Sequence, residues 1–239
     1  MPVRNLRLFL FLFLCAFVAM AFRMNQQTDL SGTWLRKGEG PSQVLLLADG
    51  YAVLTEYDLE GKRFLRSRGG TLSVEGEQVG LGIEFNTADP ATVGTLQRFT
   101  FQAQAGTLTG PDGSIWERKE KAQSPLAGTW RITERMQEGQ LVPIHQTGTR
   151  KTLKLLTDGR FQWVAIDPGK KEFSGTGGGR YTFKNGTYTE HIEFFSRDST
   201  RVGASLSFSD KVENGKWHHT GLSSRGEKIY EVWSRITAR

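Results

Sequence analysis

Apolar and polar residues alternate with a period of two along much of this chain. Residues 152–156 (Thr-Leu-Lys-Leu-Leu) run into Asp158-Gly159, and residues 160–166 run out of it. Residues 180–183 and 188–195 flank Asn185-Gly186 in the same way. A period of two marks strands, and Asp-Gly or Asn-Gly accepts the positive φ that a tight hairpin needs. Asp49-Gly50, Asp112-Gly113 and Asn214-Gly215 repeat that signal, and few windows carry a helical period. The pattern predicts an all-β chain of consecutive antiparallel hairpins in up-and-down order. About eight strands fall in each unit, the number of small ligand-holding barrels.

The unit occurs twice. Leu30-Ser31-Gly32-Thr33-Trp34 returns as Leu126-Ala127-Gly128-Thr129-Trp130, and the copies close on Trp116-Glu117-Arg118 and Trp233-Ser234-Arg235. Asp49, Gly69, Glu84 and Gly94 recur as Asp158, Gly178, Glu193 and Gly203 at identical spacings of 20, 15 and 10 residues. A duplicated unit gives boundaries and fold together. A first barrel is expected over residues 29–120 and a second over 125–237, joined by a polar linker that ends at Pro125. The second copy is longer near its start. Its extra segment, residues 134–150, is too broken for a helix and reads as a long hairpin connection, with a lid as the alternative.

The chain opens differently. Residues 8–22 form an apolar run of 15 behind Arg4 and Arg7. That is shorter than the roughly 20 residues of a membrane span and suits the core of a signal peptide, with Ala19-Met20-Ala21 as the small-x-small cleavage pattern. We expect a signal peptide over residues 1–21, cut after Ala21; an uncleaved N-terminal membrane anchor is the alternative. A lipoprotein signal would use Cys15, but Leu12-Phe13-Leu14 before it are bulky. Cys15 is the only cysteine, so the exported chain would carry no disulfide and rely on its cores, which suits a bacterial periplasm or a secreted protein. Asn185-Gly186-Thr187 has the form of a glycosylation sequon, which we read as a hairpin turn. Loss of residues 1–21 removes two arginines and no acid, taking the formal charge from +6 to +4. Bases and acids are interspersed, so no nucleic-acid partner is indicated. Membrane contact is expected only through an uncleaved first segment.

Gly-x-Trp on a first strand, a hairpin meander and a late arginine together resemble the lipocalin and calycin group. The resemblance implies that the tryptophan plugs the closed end of each barrel and that an arginine from the last strand packs across it. Trp34 would then meet Arg118, and Trp130 would meet Arg235, an attraction between an indole face and a guanidinium. Each unit is shorter than a full lipocalin and lacks an evident middle motif. Gly-Thr-Trp also begins avidin-like barrels. The second unit is similar to a family of uncharacterised exported bacterial proteins with lipocalin-like domains, through Gly179-Arg180-Tyr181-Thr182, residues 188–194 and residues 229–235.

Candidate chemistry is sparse. Residues 188–195 divide into two faces, neither purely apolar, so inside and outside stay open. Glu84 and Glu193 hold matched places, as lumen groups or as solvent-facing acids. His145, His191, His218 and His219 have no metal-ligand spacing, and His218 and His219 point to opposite faces, so no metal is assigned. No Gly-x-Ser-x-Gly elbow occurs, and residues 175–179 lack the lysine and helix of a phosphate-binding loop. No catalytic residue and no cofactor are assigned. The second unit is rich in aromatics, which either fill its core or line an apolar pocket with a few polar groups. On the pocket reading, Trp163, Arg180, Tyr181, Glu193, Trp217 and His218 would contact a small hydrophobic or amphipathic molecule. The sequence thus points to an exported lipocalin-like protein that binds such a ligand in its second barrel. The alternatives are a cell-envelope interaction module with filled barrels and an enzyme using a Glu/His pair. Oligomeric state is not indicated.

Overall fold

A computed structural model describes residues 29–104, 106–119 and 124–236. The expected signal segment and its cleavage point lie outside the described residues. Two antiparallel sheets account for the fold, and each rolls into a barrel. The first comprises β1 (Gly32–Arg36), β2 (Ser42–Ala48), β3 (Tyr51–Asp58), β4 (Arg63–Glu75), β5 (Gln78–Asn86), β6 (Leu96–Thr100), β7 (Gln102–Gln104), β8 (Thr107–Thr109) and β9 (Ile115–Arg118). The second comprises β10 (Gly128–Gln137), β11 (Gln140–Pro143), β12 (Lys151–Thr157), β13 (Arg160–Asp167), β14 (Glu172–Lys184), β15 (Thr187–Phe195), β16 (Ser205–Glu213), β17 (Lys216–Leu222) and β18 (Lys228–Arg235).

The second barrel is closed, because β18 returns to pair with β10. The first is nearly closed. β9 pairs with β1, but β6 pairs only with β5 and β7 only with β8, the chain passing from one to the other through Phe101. In the second barrel a single strand, β16, bonds both neighbours. The longer start of the second unit is a hairpin in which β11 folds back on the far end of β10.

Both Gly-Thr-Trp motifs have the same local logic. The Trp34 indole N–H donates to the Leu30 carbonyl at 2.8 Å, and Trp130 does the same to Leu126. The Arg118 guanidinium lies 5.4 Å from the Trp34 ring, and the Arg235 guanidinium 5.8 Å from the Trp130 ring.

The two barrels pack side by side. On β2, Leu45 and Leu47 face the first lumen while Val44 and Leu46 face the second barrel; on β12, Leu153 and Leu155 answer from the other side. Tyr51, Val53, Tyr57, Phe85, Val164, Ile166 and Phe194 complete this shared apolar core. Strands buried on both faces lose their polar alternation, which is why residues 44–47 read Val-Leu-Leu-Leu.

Polar contacts cross the same boundary in pairs. The Asp158 carboxylate accepts the Thr33 backbone N–H at 2.7 Å, and Asp49 accepts that of Thr129 at 2.8 Å. The Thr33 hydroxyl donates to the Thr157 carbonyl, and the Thr129 hydroxyl to Ala48. Gly32 and Gly128 sit at φ +131° and +141°, where a Cβ would come 2.7 Å and 2.5 Å from the visiting carboxylates. Each Asp-Gly turn therefore serves its own hairpin and also caps the first strand of the opposite barrel.

Candidate functional site

A cavity of about 440 Å³ opens in the first barrel, within the range of small-molecule sites. Its floor is apolar, from Leu45, Leu47, Ala52, Leu72, Val79 and Leu81, with Trp116 alongside. Its mouth is polar and carries Arg36, Glu56, Arg66, Arg68, Asn86 and Asp112.

The ladder registers explain how the linings of the two interiors differ. Leu45 faces Leu54 across β2 and β3 as Lys154 faces Trp163 across β12 and β13. Ala52 pairs with Gly70 as Phe161 pairs with Gly179. Leu72 pairs with Leu81 as Tyr181 pairs with Glu190. At matched places the first barrel thus has Ala52, Leu72 and Val79 where the second has Phe161, Tyr181 and Tyr188. Three rings are replaced by small aliphatic groups on one frame, and the vacated volume is the cavity.

The interior of the second barrel is occupied. Lys154 donates to Glu190 at 2.8 Å, and both side chains are more than nine-tenths buried. Tyr188 donates to the same carboxylate at 3.1 Å. The Lys154 ammonium lies 5.2–6.0 Å from the ring centres of Trp217, Trp233, Tyr188 and Phe161. Asp210 accepts the Trp217 indole N–H at 2.8 Å and faces His219 Nδ1 at 3.0 Å. A buried ion pair needs such supporting hydrogen bonds to offset its desolvation. Burial, reinforced by Glu190, pushes the Tyr188 hydroxyl well above its ordinary pKa, so it remains a neutral donor.

The mouths also differ. In the second barrel Trp163, Gly177 and Phe195 stand in one row across β13, β14 and β15. Trp163 and Phe195 meet edge to face at 5.5 Å over the glycine, and the Arg197 guanidinium lies 5.8 Å from the Trp163 ring. The same row in the first barrel is Leu54, Arg68 and Asn86. No aromatic pair closes it, and Arg68 stands where the glycine is.

The six residues expected to line a pocket in the second barrel fall in different surroundings. Tyr181 and Trp217 are core residues of its filled interior, and Trp163 caps its mouth. Arg180 is largely exposed and bonds Glu193 at 2.8 Å. His218 points outward to the Tyr230 hydroxyl at 2.9 Å, while its neighbour His219 points in. Glu193 is neither a lumen group nor solvent-facing. It is skipped by the β14–β15 ladder, as Glu84 is by β4–β5. A bulge re-aims the residue it leaves out, and both acids turn toward the inter-barrel boundary. Glu193 accepts from Tyr57 of the first barrel and from Arg160, each at 2.6 Å. Glu84 accepts from Tyr51 at 2.6 Å and from Lys151 of the second barrel at 2.7 Å. The Glu/His pair of the enzymatic alternative is therefore split between an interface and an outer face. Sequence reasoning assigned no role to Arg68 at the open mouth or to the buried group Lys154, Glu190, Asp210 and His219. The one available signal was a lysine inside Leu153-Lys154-Leu155-Leu156, in phase with Leu156 of the core.

A search of curated proteins returned no match to the chain. Residues 125–239, which contain the whole of the second barrel, are similar to a family described as Domain of unknown function (DUF4488).

Proposed function

We propose that this is an exported lipocalin-like protein that holds a small, partly apolar molecule in its first barrel, with the second barrel as the rigid body that supports it. The cavity of about 440 Å³ carries this reading. It joins an apolar floor to a polar mouth, the division expected of a site that takes an amphipathic guest. Catalysis is not required: binding needs only the enclosed volume and its lining. The packed interior of the second barrel favours a structural role for that unit, since Lys154 and Glu190 already satisfy one another.

Native mass spectrometry of the protein purified from its own host tests the proposal, with a retained small molecule expected as added mass. A neutral fluorophore, N-phenyl-1-naphthylamine, gives a second readout. It should brighten on binding the protein emptied of guest, and replacing Ala52 by Phe should abolish the effect. Brightening that survives Ala52→Phe would place the probe elsewhere and remove the support for a first-barrel site.

A further inference from the structure

Resting on the reading of the first barrel as a ligand site, we infer that its guest carries an anionic head group, a carboxylate or its equivalent, received by Arg68 at the cavity mouth. The charges around the mouth are unequally matched. Arg66 is bonded to Glu56 at 2.7 Å, and Glu56 also accepts from Gln43. Asp112 accepts the Ser114 backbone N–H within its own turn and lies in the field of Arg36. Arg68 has no salt bridge and no side-chain hydrogen bond to another described residue. Its guanidinium rests 5.7 Å from the centre of the Phe99 ring. Burial, together with the like charge of Arg66, lowers its pKa, and Asp112 opposes this only in part.

A half-buried guanidinium with five donors and no carboxylate bonded to it is suited to a planar two-oxygen acceptor. Phe99 and Phe101 beside it supply an apolar wall for the first part of an attached chain. The position is particular to this barrel. Its counterpart Gly177 is covered by Trp163 and Phe195, and a Cβ there would lie 2.8 Å from the Trp163 indole nitrogen. An arginine in that place would force the aromatic cap open. The same row of three residues therefore closes one barrel and arms the other with a cation.

The test uses displacement of N-phenyl-1-naphthylamine by decanoate and by decanol, which share a chain and differ in head group. It compares the full-length protein with its Arg68→Gln and Arg68→Lys variants. The unaltered protein should prefer decanoate by about tenfold or more, as a charge-assisted hydrogen bond implies. Arg68→Gln should reduce that preference to near unity, and Arg68→Lys should retain most of it. Equal displacement by the two competitors in the unaltered protein, or a preference that persists in Arg68→Gln, overturns the assignment of the anion to Arg68 and leaves the cavity reading standing. Failure of the neutral probe to bind at all overturns both.

Discussion

The Asp158 carboxylate accepts the backbone N–H of Thr33 at 2.7 Å, reaching from a hairpin of the second barrel to the first strand of the first. Asp49 returns the contact to Thr129 and adds Arg235 Nε at 3.0 Å. With the apolar core between β2 and β12, these contacts join the two barrels along one boundary. Asp158→Ala strands a part-buried amide and should cost about 1–3 kcal/mol. Combining it with Asp49→Ala should broaden or split the urea transition, because the apolar core would then hold the barrels without its flanking caps. A double variant that unfolds in one transition at the original midpoint would show that the caps contribute nothing to coupling.

Acid should loosen the same boundary through Glu193. Burial alone would raise its pKa. The charge of Arg160, the hydrogen bond from Tyr57 and the charge of Arg180 outweigh that and hold it below the ordinary carboxylate value. In the unfolded chain the group titrates near pH 4.3. Between that value and the lower folded pKa the unfolded state binds more protons, so stability rises with pH there. The contribution is fully present above the unfolded pKa and is lost as pH falls through the folded one. Urea midpoints measured from pH 6 down to pH 3 should fall, and Glu193→Gln should flatten that part of the slope. An unchanged slope in the variant would assign the acid sensitivity to other carboxylates.

The duplication was legible because turn glycines, bulge acids and Trp-x-Arg ends recur at fixed spacings, and the barrel architecture followed from it. Which barrel is hollow was not legible by counting aromatics. In the sequence, the aromatics of the second unit read either as core filling or as a pocket wall; the registers place Phe161, Tyr181 and Tyr188 together in one interior. The bulges were equally hidden. A period of two assigns Glu193 to the face of His191, whereas the ladder skips Glu193 and turns it toward Tyr57. The shared core between the barrels left a trace in Val44-Leu45-Leu46-Leu47, an apolar run with no polar face. That pattern reports burial on both sides without identifying the partner.

Filling the cavity should separate binding from stability. Ala52 is 4% exposed and faces the apolar floor. Ala52→Phe reproduces Phe161 of the second barrel on the same ladder position. Cavity-filling changes commonly add about 0.5–2 kcal/mol when the new side chain fits. The expected outcome is an unchanged or higher melting temperature together with lost probe binding. A variant that melts well below the parent would indicate overpacking, and the milder Ala52→Val should then weaken binding without that penalty.

The buried pair Lys154 and Glu190 makes the opposite comparison, because the first barrel carries Leu45 and Leu81 in their places. Lys154→Leu leaves the buried Glu190 carboxylate with the Tyr188 hydroxyl as its one remaining side-chain donor among the described residues. Removing one partner of a buried ion pair costs about 3–5 kcal/mol. Glu190→Leu should cost a similar amount by stranding the ammonium. The double variant removes both desolvation costs at once and should recover most of the loss, giving a coupling energy of at least about 2 kcal/mol in a double-mutant cycle read by urea unfolding. Additive single losses would mean that the aromatic rings alone stabilise the lysine and that Glu190 is held by Tyr188. Recovery would mean that the second barrel tolerates the apolar lining of the first, leaving the three aromatic rings as the difference that keeps its interior closed.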